Sequence, residues 1–368
     1  METKLWKLEN NRPLEDQLKP AAALLQQGEV VAFPTETVYG LGADGLNGDA
    51  CKKIFAAKGR PADNPLILHI SQLEQINQLT SGLSPMAEKL AKTFWPGPMT
   101  LVVNASERVP QVVTAGLTTV AVRFPSDPVA QALITLAGTP IAAPSANRSG
   151  KPSPTNAADV LQDMDGVIAG VVDGGPCAIG VESTIIDTTG DVATILRPGG
   201  ITREMLEQVL GQVELDRGLV EAGQTPKAPG MKYRHYAPKA PMYLIEGPEA
   251  SQGVIRAAIM AEAMGLKVGV LAMEKTVQHL PKTQDILIRS GGKDAQELAE
   301  KLYTELRSFD AENVDVIIGE GVPDDHLGLA IMNRMRKSAG HNILWAEQGI
   351  FHKKSGQIPE FLQALVLE

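Results

Sequence analysis

A chain of 368 residues is too long for one typical core, so two domains are the starting expectation. Its 43% hydrophobic and 21% charged residues are those of a soluble globular protein, and a formal charge of -9 argues against broad coating of nucleic acid. Aromatics at 4% exclude extensive recognition by ring stacking, and two cysteines, Cys51 and Cys177, exclude a disulfide framework and fit a reducing compartment.

The N-terminal stretch carries Glu2, Glu9, Glu15 and Asp16 and no apolar signal-peptide core, and no run approaches the length of a membrane span. A cytoplasmic protein without membrane association is expected. Residues 20–27 read as a short helix, with Pro20 in its first turn and Gly28 as its stop. A buried strand follows over 29–33, then a polar, glycine-rich loop over 34–48. Asp49 caps a helix to about Lys58, and 66–70 reads as a strand. Ser84-Pro85 opens a helix that ends at Trp95-Pro96. Strands are expected over 99–104 and 119–124. In the second, Val120, Val122 and Phe124 alternate with Ala121 and Arg123, which places Arg123 opposite the apolar set. Asp127-Pro128 caps a helix stopping at Gly138. Strands over 140–143, 167–172, 183–187 and 193–196 and a helix over 202–210 complete this region.

Between about 211 and 240 the apolar period fails. Gly218, Gly223, Pro226, Pro229, Gly230 and Pro238 read as a linker, yet Lys232, Tyr233, Arg234, His235 and Tyr236 are dense in polar and aromatic tips, which suits a lid. Beyond it, strands over 242–245, 268–272, 286–288 and 314–318 alternate with helices over 255–264, 295–306 and 329–337. That is the pattern of a parallel, doubly wound α/β domain.

The most informative stretch is Lys58-Gly59-Arg60-Pro61-Ala62-Asp63-Asn64-Pro65-Leu66, which sets two cations on stiffened backbone between a helix and a strand. With no expected core role, they suit a polyanion such as a nucleotide's phosphates. Gly40-Leu41-Gly42-Ala43-Asp44-Gly45 matches GxGxxG but does not open a helix directly after a strand, so its glycines are assigned to tight turns near a ligand. No Walker A sequence is present. His69 lacks partner histidines at metal spacing, and Ser145 lacks the flanking glycines of a hydrolase elbow. Cys177 reads as a small buried residue. The residues alone describe a scaffold presenting Thr, Ser, Asn, Lys and Arg from several loops, suited to chemistry by positioning and charge neutralisation, with a nucleotidyl transfer as one example.

Three motifs, Pro34-Thr35-Glu36-Thr37-Val38-Tyr39-Gly40-Leu41, Lys58-Gly59-Arg60-Pro61 and Pro144-Ser145-Ala146-Asn147, occur in this order. Together they resemble the Sua5/YrdC/YwlC family, the L-threonylcarbamoyl-AMP synthases of the tRNA t6A pathway. The resemblance covers essentially the whole chain, including Gly328-Leu329-Ala330-Ile331-Met332-Asn333-Arg334 near the C-terminus. It implies a YrdC-like twisted α/β catalytic domain over 1–211, a linker or lid over 212–240 and a smaller Rossmann-like Sua5 domain over 241–368. It also implies a nucleotidyltransferase that makes threonylcarbamoyl-AMP and pyrophosphate from L-threonine, bicarbonate or CO2, and ATP. Carried over by motif, Lys58, Arg60, Ser145 and Asn147 would be catalytic. Thr37, His69, Arg123, Ala143 and Ser183 would hold threonine. Arg60, Asn64, Thr119, Ser145, Ser153, Arg197 and Tyr236 would hold ATP. Mg2+ would enter on the ATP phosphates and not on protein side chains. The product would pass to the tRNA threonylcarbamoyltransferase machinery, with weak RNA binding as a further expectation. A carbamoyl-adenylating hydrogenase-maturation protein would share the module but should carry a CxxC zinc segment, which is absent here. A non-catalytic double-stranded RNA binder using the basic cleft is the alternative of another class.

Overall fold

The computed structural model describes residues 2–216 and 236–367. Two compact units emerge, Met1–Ser149 with Ser153–Tyr233, and Gly150–Pro152 with Arg234–Glu368.

The first unit is built on an 11-stranded mixed sheet. Its strands are β1 (Lys4–Lys7), β2 (Val31–Phe33), β3 (Gly40–Asp44), β4 (Ile67–His69), β5 (Met99–Asn104), β6 (Thr119–Arg123), β7 (Ile141–Ala142), β8 (Gly170–Asp173), β9 (Thr184–Asp187), β10 (Ala193–Arg197) and β11 (Val213–Leu215). They lie in the order β1-β8-β2-β3-β7-β4-β6-β5-β9-β10-β11. The helices are α1 (Leu14–Gln26), α2 (Gly48–Lys58), α3 (Pro85–Phe94), α4 (Gln111–Thr114), α5 (Pro128–Ala137), α6 (Ala157–Met164) and α7 (Arg203–Leu210). Strand alternation sorts the two faces. Val30 and Ala32 join the large core with Ile54, Phe55, Leu90 and Val160, whereas Val31 and Phe33 pack with Leu18, Leu25, Leu133 and Ile134 of α1 and α5. Farther along the sheet, Ile67, Val102, Ala121, Ile185 and Leu196 form a small apolar patch of their own.

Local chemistry accounts for most helix ends. Ser84, Asp127 and Thr202 each accept a hydrogen bond from the backbone three residues on, and Gly59 and Gly138 close α2 and α5 in the left-handed region. Several expectations are corrected. Helix α1 starts at Leu14, so Pro20 lies inside it, on an exposed turn, and not in its first turn. The cap of α2 is Asn47, whose side chain accepts from the Asp49 and Ala50 amides; Asp49 is already helical. Residues 40–44, expected in a loop, form β3. Gly42 and Gly45 serve close packing there, since a Cβ would meet the Phe33 ring at 2.7 Å or Leu68 at 2.5 Å. Val213–Leu215 pairs with β10 inside the stretch expected to be linker. Residues 217–235 of that stretch, with Lys232, Tyr233, Arg234 and His235, lie outside the described residues.

The second unit carries a seven-stranded sheet. Its strands are β12 (Met242–Glu246), β13 (Val268–Ala272), β14 (Ile286–Ser290), β15 (Val316–Glu320), β16 (Ile343–Glu347), β17 (Ile350–Ser355) and β18 (Val366–Leu367), in the order β14-β13-β15-β12-β16-β17-β18. The run from β14 to β16 is parallel, and β17 returns antiparallel to β16. Helices α8 (Ala250–Ala263), α9 (Glu274–Val277), α10 (Ala295–Glu312) and α11 (His326–Ser338) connect the strands. Both faces of β13 are used. Val268 and Val270 pack with Val254, Ala257 and Ala261 of α8, while Gly269 lets the Phe309 ring of α10 approach to within 2.7 Å of where a Cβ would stand. This is the doubly wound arrangement the alternation implied, with an antiparallel edge the sequence pattern did not reveal.

Candidate active site

One rung of the first sheet organises the site. Strand register aligns Ile141 of β7, His69 of β4, Arg123 of β6, Thr100 of β5, Ile185 of β9 and Arg197 of β10. Residues in register project to one face, so His69, Arg123, Thr100 and Arg197 share it. A register shift between Ile195 and Arg197 brings Arg197 into line. One pleat below on β4, β6 and β5, Ile67, Ala121 and Val102 continue this face as the apolar patch. The polar row therefore has a greasy floor beside it. The expectation that Arg123 lies opposite Val120 and Val122 holds, and on its own face Ala121, one pleat away, belongs to the apolar patch.

The row is buried and wired. Arg123 is 4% exposed; its Nη1 donates to Thr37 Oγ1 at 2.9 Å, and its Nη2 lies 2.9 Å from Glu36 Oε1. That last approach is close but off hydrogen-bond alignment, leaving Nε and Nη2 of Arg123 and both Glu36 carboxylate oxygens without a hydrogen bond. Ser183 is fixed by Thr100 Oγ1 at 2.8 Å and by Arg197, whose Nε donates to Ser183 O at 3.0 Å and Nη2 to Ser183 Oγ at 3.1 Å. His69 lies against the edge of the Phe33 ring, with Nδ1 3.1 Å from Ile67 O. Burial first, then the Arg123 guanidinium, lowers its pKa to about 3, so at neutral pH it is an uncharged hydrogen-bonding group. Ala143 follows β7 and donates its amide to Ile67 O at 2.9 Å.

A second cluster surrounds the end of α2. Lys58, expected on a turn with no core role, is 4% exposed, and its Nζ donates to the carbonyls of Ser145 and Asn147. Ser145 Oγ donates to Asn147 Oδ1 at 2.6 Å. The loop carrying them docks on β3 through Leu41 N to Pro144 O at 2.7 Å and Ala146 N to Tyr39 O at 2.9 Å. Arg60 Nη2 donates to Asn64 O at 3.0 Å, with the guanidinium 5.7 Å from the Phe55 ring centre. The Asn64 amide is fully buried and neither of its polar atoms makes a hydrogen bond. Such a group leaves room for a hydrogen-bonding partner from outside the chain, whether water or ligand. Ser153 Oγ donates to Glu182 Oε1 at 2.6 Å. Thr119 begins β6, on the face of Arg123. Tyr236 belongs to the second unit, where it stacks on Tyr303 with centroids 5.3 Å apart.

The chain was compared with known proteins. Residues 23–199 match the family model described as Telomere recombination, and 201–340 match Threonylcarbamoyl-AMP synthase, C-terminal domain. A threonylcarbamoyl-AMP synthase of Bacillus subtilis is 50% identical over 94% of this chain and all of its own length. The chain belongs to the threonylcarbamoyl-AMP synthase family, in its long Sua5 form. A second such synthase, from Pyrococcus abyssi, is 47% identical over 90% of this chain and 96% of its own. The crystal structure of P. abyssi Sua5 complexed with L-threonine superposes with a TM-score of 0.88 at 45% identity, covering 94% of this chain and all of that one. The two-domain α/β architecture is thus that of the long Sua5 family.

Within this family fold, sequence reasoning gave no role to Glu36 or Thr100. Glu36 stood inside a quoted motif, and its signal was a carboxylate next to a threonine pair with no lysine or arginine near it in sequence. Thr100 sits inside the apolar run Met99-Thr100-Leu101-Val102-Val103, where a hydroxyl has no obvious partner until β6 and β9 are placed beside it.

Proposed function

We propose that this chain makes threonylcarbamoyl-AMP and pyrophosphate from L-threonine, CO2 or bicarbonate, and ATP, in the cytoplasm, for the t6A modification of tRNA. The observation that carries the residue assignment is the buried side-on edge of Arg123, whose Nε and Nη2 make no hydrogen bond, on a rung shared with His69 and Thr100. That edge offers two parallel donors, the geometry that pairs a carboxylate bidentately. Threonine's carboxylate is assigned to Arg123, with Thr37, neutral His69, Ala143 and Ser183 around the rest of the molecule. The nucleotide is assigned to the neighbouring face. Its base or ribose would lie along the Ile67, Ala121 and Val102 floor toward Thr119, roughly 13 Å down β6 from Arg123 at ~3.3 Å per residue. Asn64, Ser145, Ser153, Arg60 and Arg197 supply polar contacts.

The chemistry follows from these needs. Threonine's ammonium gives up a proton to solvent, the free amine adds to CO2 with loss of a second proton to form the carbamate, a carbamate oxygen attacks the α-phosphorus of ATP, and pyrophosphate leaves. The carbamate is unstable in water, so the buried row serves to enclose it as well as to orient it. Arg60 and Arg197 offset charge on the phosphates, and Lys58 and Asn147 hold the Ser145 loop in place. Among the described residues no group of three or more His, Cys, Asp or Glu side chains could hold a metal ion. Mg2+ is assigned to the ATP phosphates, where it would neutralise charge. No helix among the described residues is long and apolar enough to cross a membrane. The test is mass-spectrometric detection of threonylcarbamoyl-AMP from ATP, threonine and bicarbonate, with each omitted in turn. Pyrophosphate release that is indifferent to threonine would overturn the reading.

A further inference from the structure

We propose that Glu36 receives the α-ammonium group of the amino-acid substrate, so that Glu36 and Arg123 together read the substrate's zwitterion. This rests on the assignment of threonine to the Arg123 row.

The starting point is an ion pair that does not behave as a structural one. Glu36 is 9% exposed and Arg123 4%. Removing both charges from water is costly unless good geometry and further hydrogen bonds compensate. Here Nη2 and Oε1 come within 2.9 Å without hydrogen-bond alignment, and Arg123 Nε and Glu36 Oε2 have no hydrogen-bond partner at all. A pair kept for stability would close its fork. This one leaves two donors on one side and a carboxylate on the other.

Glu36 is held in this position by its backbone. Its carbonyl accepts from Ile179 N at 2.8 Å, and the next carbonyl, Thr37 O, accepts from Gly180 N at 3.1 Å. Thr35 Oγ1 accepts from the Thr37 and Val38 amides and donates to Val38 O at 2.7 Å, closing a tight turn around Glu36. Thr37 in turn takes the Nη1 hydrogen bond that sets the plane of the guanidinium. The turn thus fixes both members of the pair.

Neighbouring carboxylates are already committed. Asp127 caps α5 through Ala130 N at 2.9 Å, and Glu182 accepts from Ser153. Among the described residues, Glu36 is the carboxylate whose two oxygens are both buried and without a hydrogen bond. An α-amino acid carries a carboxylate and an ammonium on one carbon. A buried guanidinium alone would match the first and leave the second desolvated and unpaired, which is costly. A carboxylate beside the guanidinium supplies the missing partner.

The test is calorimetric binding of L-threonine, without ATP, to the full chain and to Glu36→Gln, alongside the hydroxy acid that carries a hydroxyl in place of the amine. Losing one charged hydrogen bond should weaken L-threonine binding to Glu36→Gln by about tenfold or more, with hydroxy-acid binding unchanged or tighter. Equal weakening of both ligands, or none for L-threonine, overturns the inference. Should Glu36→Gln fail to fold, the wild-type protein decides: a preference of about tenfold or more for L-threonine over the hydroxy acid is expected, and equal affinity overturns it. If the wild-type protein binds neither compound, the threonine assignment itself fails, a result distinct from equal binding of both.

Discussion

Lys58 and Asn147, 89 residues apart in sequence, are joined directly: the Lys58 ammonium donates to Asn147 O at 2.7 Å. The same ammonium reaches the Ser145 carbonyl. The α2 C-terminus and the Ser145 loop are therefore one structural unit, and the lysine acts on the site at least partly by holding that loop. Lys58→Met keeps the apolar stem and removes the ammonium. It should destabilise the first unit by about 1–3 kcal/mol, because two buried carbonyls lose a donor. It should also raise the KM for ATP. Thermal melting and pyrophosphate release measure the two effects. Full stability with lost turnover would assign the ammonium to the phosphates alone.

Arg123→Lys is expected to raise the KM for L-threonine by about tenfold or more, while the KM for ATP changes little, because an ammonium cannot present two parallel donors. The side-on edge and the Thr37 bond come from one planar group, and a lysine can satisfy only one of them at a time. Steady-state kinetics with each substrate varied separately gives the answer. Equal changes in both KM values would remove Arg123 from the threonine site.

Gly199 is where the loop after β10 lies on the chain before β9. A Cβ there would meet Glu182 O and Thr184 N, each at 2.4 Å. These are backbone atoms flanking Ser183, so nothing flexible can give way. Gly199→Ala should lift the loop from Ser183 and disturb the Arg197 hydrogen bonds to it. The cost is expected at about 1–3 kcal/mol, from the overpacking. Denaturant unfolding and a weaker affinity for both substrates would report it. Wild-type behaviour in both would mean that the loop accommodates the methyl group elsewhere.

What the sequence revealed, and what it concealed, follows from the range of the interactions. Helix α5 was legible at both ends because Asp127, Pro128 and Gly138 act on their immediate neighbours. Strand β5 was legible because Met99–Asn104 is a short apolar run bounded by Pro98 and polar residues. The Arg123 face was legible from alternation. By contrast, the tether from Lys58 to Asn147 and the contact between Glu36 and Arg123 join residues far apart in the chain, and no local pattern encodes them. Strand β3 was hidden by Gly40 and Gly42, whose composition suggests a loop. Their missing side chains make room for Phe33 and Ala143. The motif resemblance placed Thr37, His69, Arg123 and Ser183 in one site, and the register shows how the sheet brings His69 and Arg123 side by side.

His69 links the site to acid stability. Burial, reinforced by Arg123, lowers its folded-state pKa from 6.5 to about 3, while the carbonyls of Ile67 and Ile141 act weakly in the other direction. In the unfolded chain the imidazole takes up a proton as the pH falls below 6.5, whereas in the fold it resists until about 3. Within that window the unfolded state binds more protons, so lowering the pH favours unfolding. The stability that depends on neutral His69 is fully present above pH 6.5 and is lost progressively as the pH drops toward 3. The slope approaches about 1.4 kcal/mol per pH unit where only the unfolded state titrates. Replacing His69 by Asn removes this titration but keeps a hydrogen-bonding side chain. Unfolding free energies measured by denaturant between pH 7 and about 4.5 should therefore fall more steeply for the wild-type protein than for His69→Asn, by up to about 1.4 kcal/mol per unit. Parallel slopes would mean that His69 takes up its proton over the same range folded as unfolded, and that burial does not hold it neutral.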